Sequence, residues 1–334
     1  MRDVTAIAFV PVPSRRLGRS LGINNIPHKS CSYACVYCQV GRTVELLPER
    51  RAFYPPEQVV HQVETRVREV RARGEAIDYL TFVPDGEPTL DLHLGREITG
   101  LRPLGIPVAV ISNAFLVDRS DVQSDLLRAD WVSLKVDAVR EETWRRVNRP
   151  HRRLRLADQL AGALRFSRRF SGTLATETML VGGLNDDEAQ VDDLGRYLGA
   201  LEPDVAYLSV PTRPPAEPWV HPPGDDIVFR AWQSLAARLP RTRVELLVGD
   251  EGNAFATTGD AGADLLAITA VHPMREDAVA DLLARAGQEW PVVEDLVAEG
   301  RLARCEHGGR TFFTRRFART APVATGGATP GRVQ

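Results

Sequence analysis

The sequence predicts an α/β protein with an incomplete parallel (β/α)6 TIM-like barrel, followed by a small C-terminal winged-helix domain. Short apolar or β-branched runs alternate with longer amphipathic runs from about residue 20 to 250, which is typical of repeated βα units. Near residue 250 this alternation stops and a different pattern begins. A chain of 334 residues is long enough for one large domain and one small domain.

Six strands and the helices between them are expected in the barrel. Helical spacing of apolar residues occurs at 56–73, 118–128, 155–169 and 187–201. Six units are fewer than a closed eight-stranded barrel needs, and in such barrels the chemistry lies on loops after the strand C-termini. The predicted strands lie near 21–26, 77–83, 107–112, 130–136, 174–181 and 204–210.

The C-terminal region predicts a separate small domain. Helices are expected at 275–286 and 291–299, and strands at 301–305 and 311–316 flank His307-Gly308-Gly309. This order predicts a winged helix. Few large apolar residues and repeated Gly, Ala and Pro predict a disordered tail. The expected domains are 1–252, 253–319 and the tail 320–334.

The composition is that of an ordinary soluble globular protein, with 43% hydrophobic and 26% charged residues and a net charge of −2. Bulk charge therefore gives no argument for binding to nucleic acid or to a membrane. No apolar run of about 18 residues and no signal-peptide pattern occurs, so we expect a cytoplasmic protein without a membrane partner. Four cysteines, three of them clustered, fit a reducing compartment.

The clustered cysteines Cys31, Cys35 and Cys38 are the strongest functional signal. Thiolates at spacings of four and three can bind three irons of a cubane cluster and leave the fourth iron open. The alternative is a structural zinc knuckle in which His28 completes a Cys₃His set, although the usual second pair of ligands does not follow. The alternatives to an enzyme are therefore a zinc-containing winged-helix regulator and a redox-sensing iron–sulfur protein without catalysis.

Polar residues follow the second and third predicted strands. Gly86 allows close approach of backbone to a ligand, and Glu87 can accept hydrogen bonds. Ser112 and Asn113 end the third strand and can bond to ligand hydroxyls. The alternatives are an ordinary turn at Gly86 and Glu87, and a turn or helix cap at Ser112 and Asn113.

Two further strand ends carry cations. Ser133, Lys135 and Asp137 alternate along the fourth strand and therefore share a face. Lysine occurs only at positions 29 and 135, so we expect Lys135 to contact a ligand, with a structural Lys–Asp pair as the alternative. After the sixth strand, prolines stiffen a loop that is expected to direct Arg213 across the barrel mouth toward a substrate phosphate or carboxylate.

The Cys-x₃-Cys-x₂-Cys spacing, with Tyr37 before the last cysteine, resembles the signature of the radical S-adenosylmethionine (SAM) superfamily. The resemblance implies a [4Fe-4S] cluster whose open iron is chelated by the methionyl group of the cofactor. It also implies reduction by a partner such as flavodoxin or ferredoxin, cleavage to methionine and a 5′-deoxyadenosyl radical, and hydrogen abstraction. The implied cofactor contacts are Tyr37, Gly86, Glu87, Ser112, Asn113, Ser133, Lys135, Val181 and Gly182.

The order of motifs over about residues 10–320 is similar to the bacterial branch grouped with wyosine-type tRNA synthases. Those synthases use further N-terminal cysteines for a second cluster, and this sequence has none before Cys31. The resemblance therefore implies the radical chemistry without identifying the substrate. RNA or tRNA, a peptide and a small molecule remain the alternatives.

Overall fold

A computed structural model describes residues 7–248, 252–253 and 255–316 of the chain. Short 3₁₀ helices lie at Pro88–Leu90 and Arg102–Leu104. The described strands are β1 (Val12–Ser14), β2 (Gly18–Ile23), β3 (Ser30–Cys31), β4 (Glu45–Leu46), β5 (Tyr79–Phe82), β6 (Val108–Ser112), β7 (Trp131–Lys135), β8 (Thr173–Met179), β9 (Val205–Ser209), β10 (Arg243–Leu247), β11 (Met274–Arg275), β12 (Leu302–His307) and β13 (Arg310–Arg315). The described helices are α1 (Pro56–Ala72), α2 (Leu94–Leu101), α3 (Ser120–Leu126), α4 (Glu141–Asn148), α5 (Leu156–Ser167), α6 (Glu188–Leu201), α7 (Asp225–Arg238), α8 (Ala261–Thr269), α9 (Glu276–Ala286) and α10 (Pro291–Ala298).

Within this part of the chain, eight strands form a curled sheet in the order β1-β2-β5-β6-β7-β8-β9-β10. Strand β1 is antiparallel to β2, and the other neighbours are parallel. The α/β half-barrel was predicted, but the expected six parallel strands omit β10. Arg243 and Glu245 interrupt that strand because it lies at the sheet edge, where side chains are only partly covered and no continuous apolar run is needed.

The main core lies between the sheet and the helices outside it. Helix α1 contributes Val59, Val63 and Val67, which recur at helical spacing and are almost fully buried. The inner face of the sheet has a separate apolar cluster that includes Trp131 and Tyr207. Apolar packing on both faces is typical of parallel strands. Because these strands run in the same direction, their C-terminal ends lie at one edge of the sheet.

The C-terminal unit, residues 255–316, contains α8, α9, α10 and an antiparallel sheet in the order β11-β13-β12. Its own apolar cluster includes Leu265, Val279, Leu282 and Phe313. The two predicted helices and the hairpin are present within a few residues, whereas α8 and the two-residue β11 were not predicted. The predicted tail, 320–334, lies outside the described residues. No helix in the described ranges is long and apolar enough to span a membrane.

Candidate functional site

The three clustered cysteines lie on the segment that connects β2 to α1, at the C-terminal edge of the parallel sheet. We call residues 28–42 the cysteine loop. The Glu87 backbone N–H, just after β5, donates to the Ser30 carbonyl at 3.1 Å. A Cβ atom at Gly86 would lie 2.0 Å from that same oxygen. Glycine is therefore required here by the loop itself, and approach of a ligand to Gly86 stays a prediction.

A second support for the cysteine loop comes from α4 and α5. The Val36 N–H donates to the Val147 carbonyl at 2.9 Å. The Trp144 indole N–H donates to the Tyr33 hydroxyl at 3.0 Å, and that hydroxyl donates to Gln159 at 2.6 Å. These buried contacts attach the cysteine loop to two helices outside the sheet. No local pattern in the sequence signals this support, because the contacts join residues more than 100 positions apart.

Each cysteine sulfur accepts a hydrogen bond from a different side chain. The cysteines are half-buried and form no disulfide. Such donors stabilise negative charge on sulfur, and hydrogen bonds to sulfur also influence the reduction potential of a cluster. The donor–sulfur pairs are Lys29–Cys38 at 3.3 Å, Asn113–Cys31 at 3.6 Å and Asn148–Cys35 at 3.5 Å.

The surroundings of two thiols disfavour the unbound thiolate. Burial raises the pKa of Cys35 to about 12, and the Asp137 carboxylate adds to the increase. Burial also raises the pKa of Cys31 far above its usual range, with a further contribution from Cys35. The Asn148 amide offsets part of the increase in the pKa of Cys35, and the Tyr33 backbone offsets part of the increase in the pKa of Cys31. A cationic ligand that binds sulfur would supply the missing stabilisation of the thiolates.

Glu87 links the ends of β5 and β6. One carboxylate oxygen accepts from the Thr89 N–H at 3.0 Å and the Ser112 hydroxyl at 2.8 Å, and the other accepts from the Asn113 N–H at 2.7 Å. Burial raises its pKa, although these donors oppose the increase. The structure brings together Glu87, Ser112 and Asn113 as predicted. Their contacts here are with the protein, so their expected bonds to a cofactor stay predictions.

An ion network lies inside the barrel near the cysteine loop. The Lys135 ammonium donates to Glu177 on β8 at 3.1 Å, and Arg16 forms a close ion pair with the same carboxylate. Burial alone would raise the pKa of Glu177, but Arg16 and Lys135 outweigh it and lower the pKa to about 2. Lys135 also lies over the Tyr37 ring, 5.1 Å from its centroid.

The network corrects the alternative interpretation in which Lys135 forms an ion pair with Asp137. Lys135 pairs with Glu177 rather than with Asp137, because parallel pairing places residues 135 and 177 side by side. Asp137 instead accepts from the Tyr37 hydroxyl and from Asn148, the latter at 2.6 Å. Arg16 precedes β2 in the sequence and borders a cavity inside the barrel together with Glu177. Glu177 was missed because its partners are distant in sequence.

The remaining predicted cofactor contacts are closely surrounded by protein. Val181 is fully buried beside Tyr37, and its backbone N–H donates to the Asn185 side-chain oxygen at 2.8 Å. A Cβ atom at Gly182 would lie 2.3 Å from a ring carbon of His221, which explains why a residue without a side chain occupies this position. The Ser133 hydroxyl is fully buried and makes no hydrogen bond within the described part of the chain. Contacts of these residues with a cofactor remain predictions.

Arg213 contacts the cysteine loop from the segment after β9. Its guanidinium donates to the Gln39 side-chain oxygen at 3.2 Å. Gln39 directly follows Cys38, so this bond joins the loop after β9 to the cluster of thiols. Arg213 also borders a cavity with Glu177 and Ser209. The predicted proximity to the site is present, while a substrate contact is untested.

Known proteins share both the sequence and the architecture of this chain. Residues 25–195 match the model of the Radical SAM superfamily. UPF0026 protein MJ1312 from Methanocaldococcus jannaschii is 44% identical over 309 residues, which cover 92% of this chain and 96% of that protein. UPF0026 protein slr1464 from Synechocystis is 33% identical over 216 residues, covering 64% and 78% of the two chains.

Solved structures share the fold at low sequence identity. A radical SAM methyltransferase from Sphaerobacter thermophilus is 18% identical, with a TM-score of 0.50 over 68% of this chain and 66% of that one. SuiB from Streptococcus suis, solved with its precursor peptide SuiA, is 12% identical, with a TM-score of 0.52 over 69% and 49%. The family implies S-adenosylmethionine and an iron–sulfur cluster as cofactors. The chain belongs to the radical SAM superfamily and is a SAM-dependent radical enzyme.

Proposed function

We propose that Cys31, Cys35 and Cys38 bind a [4Fe-4S] cluster that reductively cleaves S-adenosylmethionine. The observation that carries this proposal is the set of three thiols at the C-terminal edge of the half-barrel, each with its own N–H donor. When bound, the cluster supplies the electron that yields methionine and a 5′-deoxyadenosyl radical for hydrogen abstraction. Flavodoxin or ferredoxin is the proposed class of reducing partner.

The donor set fits a cubane cluster. Three cysteines within eight residues can each bind a different iron and leave a fourth iron for the cofactor. Among the described residues, no three His, Cys, Asp or Glu side chains are arranged to share one metal ion. A cubane does not need that arrangement, because each cysteine has its own iron. Membership of the superfamily favours this hypothesis over the zinc and non-catalytic alternatives.

The protein would position the cofactor and limit access of water. Glu87, Ser112 and Asn113 form a hydrogen-bonded group one strand away from the cysteine loop, suited to orient polar groups of the cofactor. Tyr37 and Val181 belong to an apolar cluster that covers the other side of the loop. An enclosed site would protect a reactive radical from side reactions.

The C-terminal unit has features that support a winged helix. Its order of helix, strand, two helices and two strands, with a three-stranded antiparallel sheet, is compatible with that fold. The proposed boundaries are 1–252 for the radical domain and 253–319 for this domain. The same proposal includes a closer relation to the wyosine-type branch. It also includes an RNA or tRNA substrate, with a peptide or a small molecule as the alternative.

Anaerobic reconstitution tests the cluster and its cofactor directly. We expect about four irons and four sulfides per chain, since three cysteines can hold a [4Fe-4S] cubane. The reduced protein should give an electron paramagnetic resonance (EPR) signal that changes when S-adenosylmethionine is added. Cys35→Ala should lose cluster iron. Cys305→Ala is a matched control, because Cys305 lies in β12 of the C-terminal unit and contacts the Phe312 carbonyl. A colourless zinc protein would contradict the proposal.

A further inference from the structure

A cleft of about 340 Å³ separates the cysteine loop from the C-terminal unit, and we call it the interdomain cleft. One wall comes from the cysteine loop and includes Lys29, Gln39 and Arg42. The opposite wall includes Pro273 and Arg315. The volume lies within the range of small-molecule sites, about 300–1,000 Å³, and can hold a single nucleotide unit. Both folded units therefore contribute to one candidate binding site.

The interdomain cleft is lined by bases and no acids among the described residues. Its charged or titratable lining residues are His28, Lys29, Arg42 and Arg315. Two carboxylates lie behind this lining, and Asp85 forms a close pair with His28. Glu217 is shared between Arg42 at 3.2 Å and Arg149 at 2.7 Å, so one acid serves two guanidinium groups. The interdomain cleft therefore favours an anionic ligand.

Gln39 connects the interdomain cleft to the proposed reaction site. It lines the interdomain cleft and also the cavity that contains Arg16, Glu177 and Ser209 inside the barrel. Its side-chain oxygen accepts from Arg213, which borders that inner cavity. Lys29 lines the interdomain cleft as well and donates to the Cys38 sulfur at 3.3 Å. A ligand held in the interdomain cleft would lie beside the cluster-binding loop.

We infer that the interdomain cleft binds a phosphate group of the substrate, which makes the substrate a nucleotide or a nucleic-acid strand. This inference rests on the proposed radical function, because a molecule bound in the interdomain cleft is a substrate only if the neighbouring site is catalytic. Arginine suits phosphate because its planar guanidinium can donate two parallel hydrogen bonds, and Arg42 and Arg315 face the interdomain cleft from opposite units. The described lining has no Phe, Tyr or Trp side chain and only small apolar groups, unlike the apolar pockets typical of peptide recognition.

Fluorescence anisotropy with a short labelled single-stranded RNA tests this inference without turnover or reductant. We expect Arg42→Ala and Arg315→Ala each to weaken binding roughly tenfold and to reduce the magnitude of the salt-dependence slope by about 0.7. Arg42→Lys should retain part of the affinity because it keeps the charge. Arg68→Ala is the charge-matched control, because Arg68 is exposed on α1 and bonds only within that helix.

The competitor identifies the source of the phosphate. Displacement of the RNA by a nucleoside monophosphate at similar concentration would indicate a free-nucleotide site, whereas displacement only by unlabelled RNA would indicate a strand. Equal displacement by polyglutamate, or equal binding by wild type and Arg42→Ala with matching thermal unfolding, would overturn the inference. Wild type that binds RNA but leaves S-adenosylmethionine intact would contradict the proposed radical function alone.

Discussion

Replacing Glu177 with glutamine removes the carboxylate that Arg16 and Lys135 share inside the barrel. The Glu177 side chain is only 9% exposed, and both cations are 18% exposed. Glutamine keeps the approximate shape of the side chain but carries no charge. Two partly buried cations would then repel each other with little solvent screening, so we expect Glu177→Gln to destabilise the folded protein.

The pKa of Glu177 gives the size of this effect. It is about 2 in the folded protein, compared with an ordinary value of 4.5. At about 1.4 kcal/mol per unit, this difference corresponds to roughly 3 kcal/mol of stability at pH 7. Removal of one partner from a buried ion pair costs a similar amount, about 3–5 kcal/mol. Because the folded pKa is depressed, the stabilisation exists above pH 4.5 and is lost as the pH falls toward 2.

Urea denaturation followed by circular dichroism measures this loss at pH 7 and at pH 3. We expect the free energy of unfolding of Glu177→Gln to lie about 3 kcal/mol below wild type at pH 7 and about 1 kcal/mol below it at pH 3. Lys135→Met in the same chain should restore part of the stability, because it removes one unpaired cation. A loss at pH 7 of less than about 1 kcal/mol, or one independent of pH, would refute the reasoning.

Three further predictions concern the cysteine loop and a buried acid. Gly86→Ala should lower the cluster iron bound after reconstitution, because its Cβ would lie 2.0 Å from the Ser30 carbonyl oxygen. Lys29→Met should make the cluster potential more negative by tens of millivolts in an EPR-monitored titration, because it removes a cationic donor from Cys38. Burial raises the pKa of Glu97 to about 9, so wild-type stability should fall as the pH rises from 4.5 to 9. Glu97→Gln should flatten that fall in urea denaturation.

Matched controls make these outcomes decisive. Gly199→Ala, in α6, places its Cβ 3.8 Å from the nearest side-chain atom and should leave iron content unchanged. Normal iron in Gly86→Ala would contradict the packing argument. An unchanged potential in Lys29→Met would show that the ammonium does not influence the cluster. For Glu97, the same slope of stability against pH in wild type and variant would contradict the sign of the shift.

The sequence predicted the features that depend on local pattern. The cysteine spacing needs only eight consecutive residues, and the apolar periodicity of α1 needs only one helix. Gly86, Glu87, Ser112 and Asn113 could be assigned to one region because parallel strand ends meet at the same edge. Strand β10 was missed because an edge strand does not need a continuous apolar run.

Contacts between distant residues were beyond local pattern. Arg16 and Glu177 are separated by 161 positions and meet only when the sheet curls. Asn148 reaches Cys35 across 113 positions, and its neighbour Arg149 adopts a left-handed backbone with φ of 44°. Neither an arginine before the first parallel strand nor an asparagine at the end of a helix signals such a partner. The strand register and the curl of the sheet must be known before these contacts can be predicted.

The most direct test of the central claim is the cleavage of S-adenosylmethionine by the reconstituted protein. The enzyme would be incubated anaerobically with dithionite and cofactor, and 5′-deoxyadenosine would be measured by liquid chromatography. We predict that wild type and Cys305→Ala form 5′-deoxyadenosine and that Cys35→Ala forms none. Equal product from Cys35→Ala, or an intact cluster in wild type with no product, would contradict the proposed function.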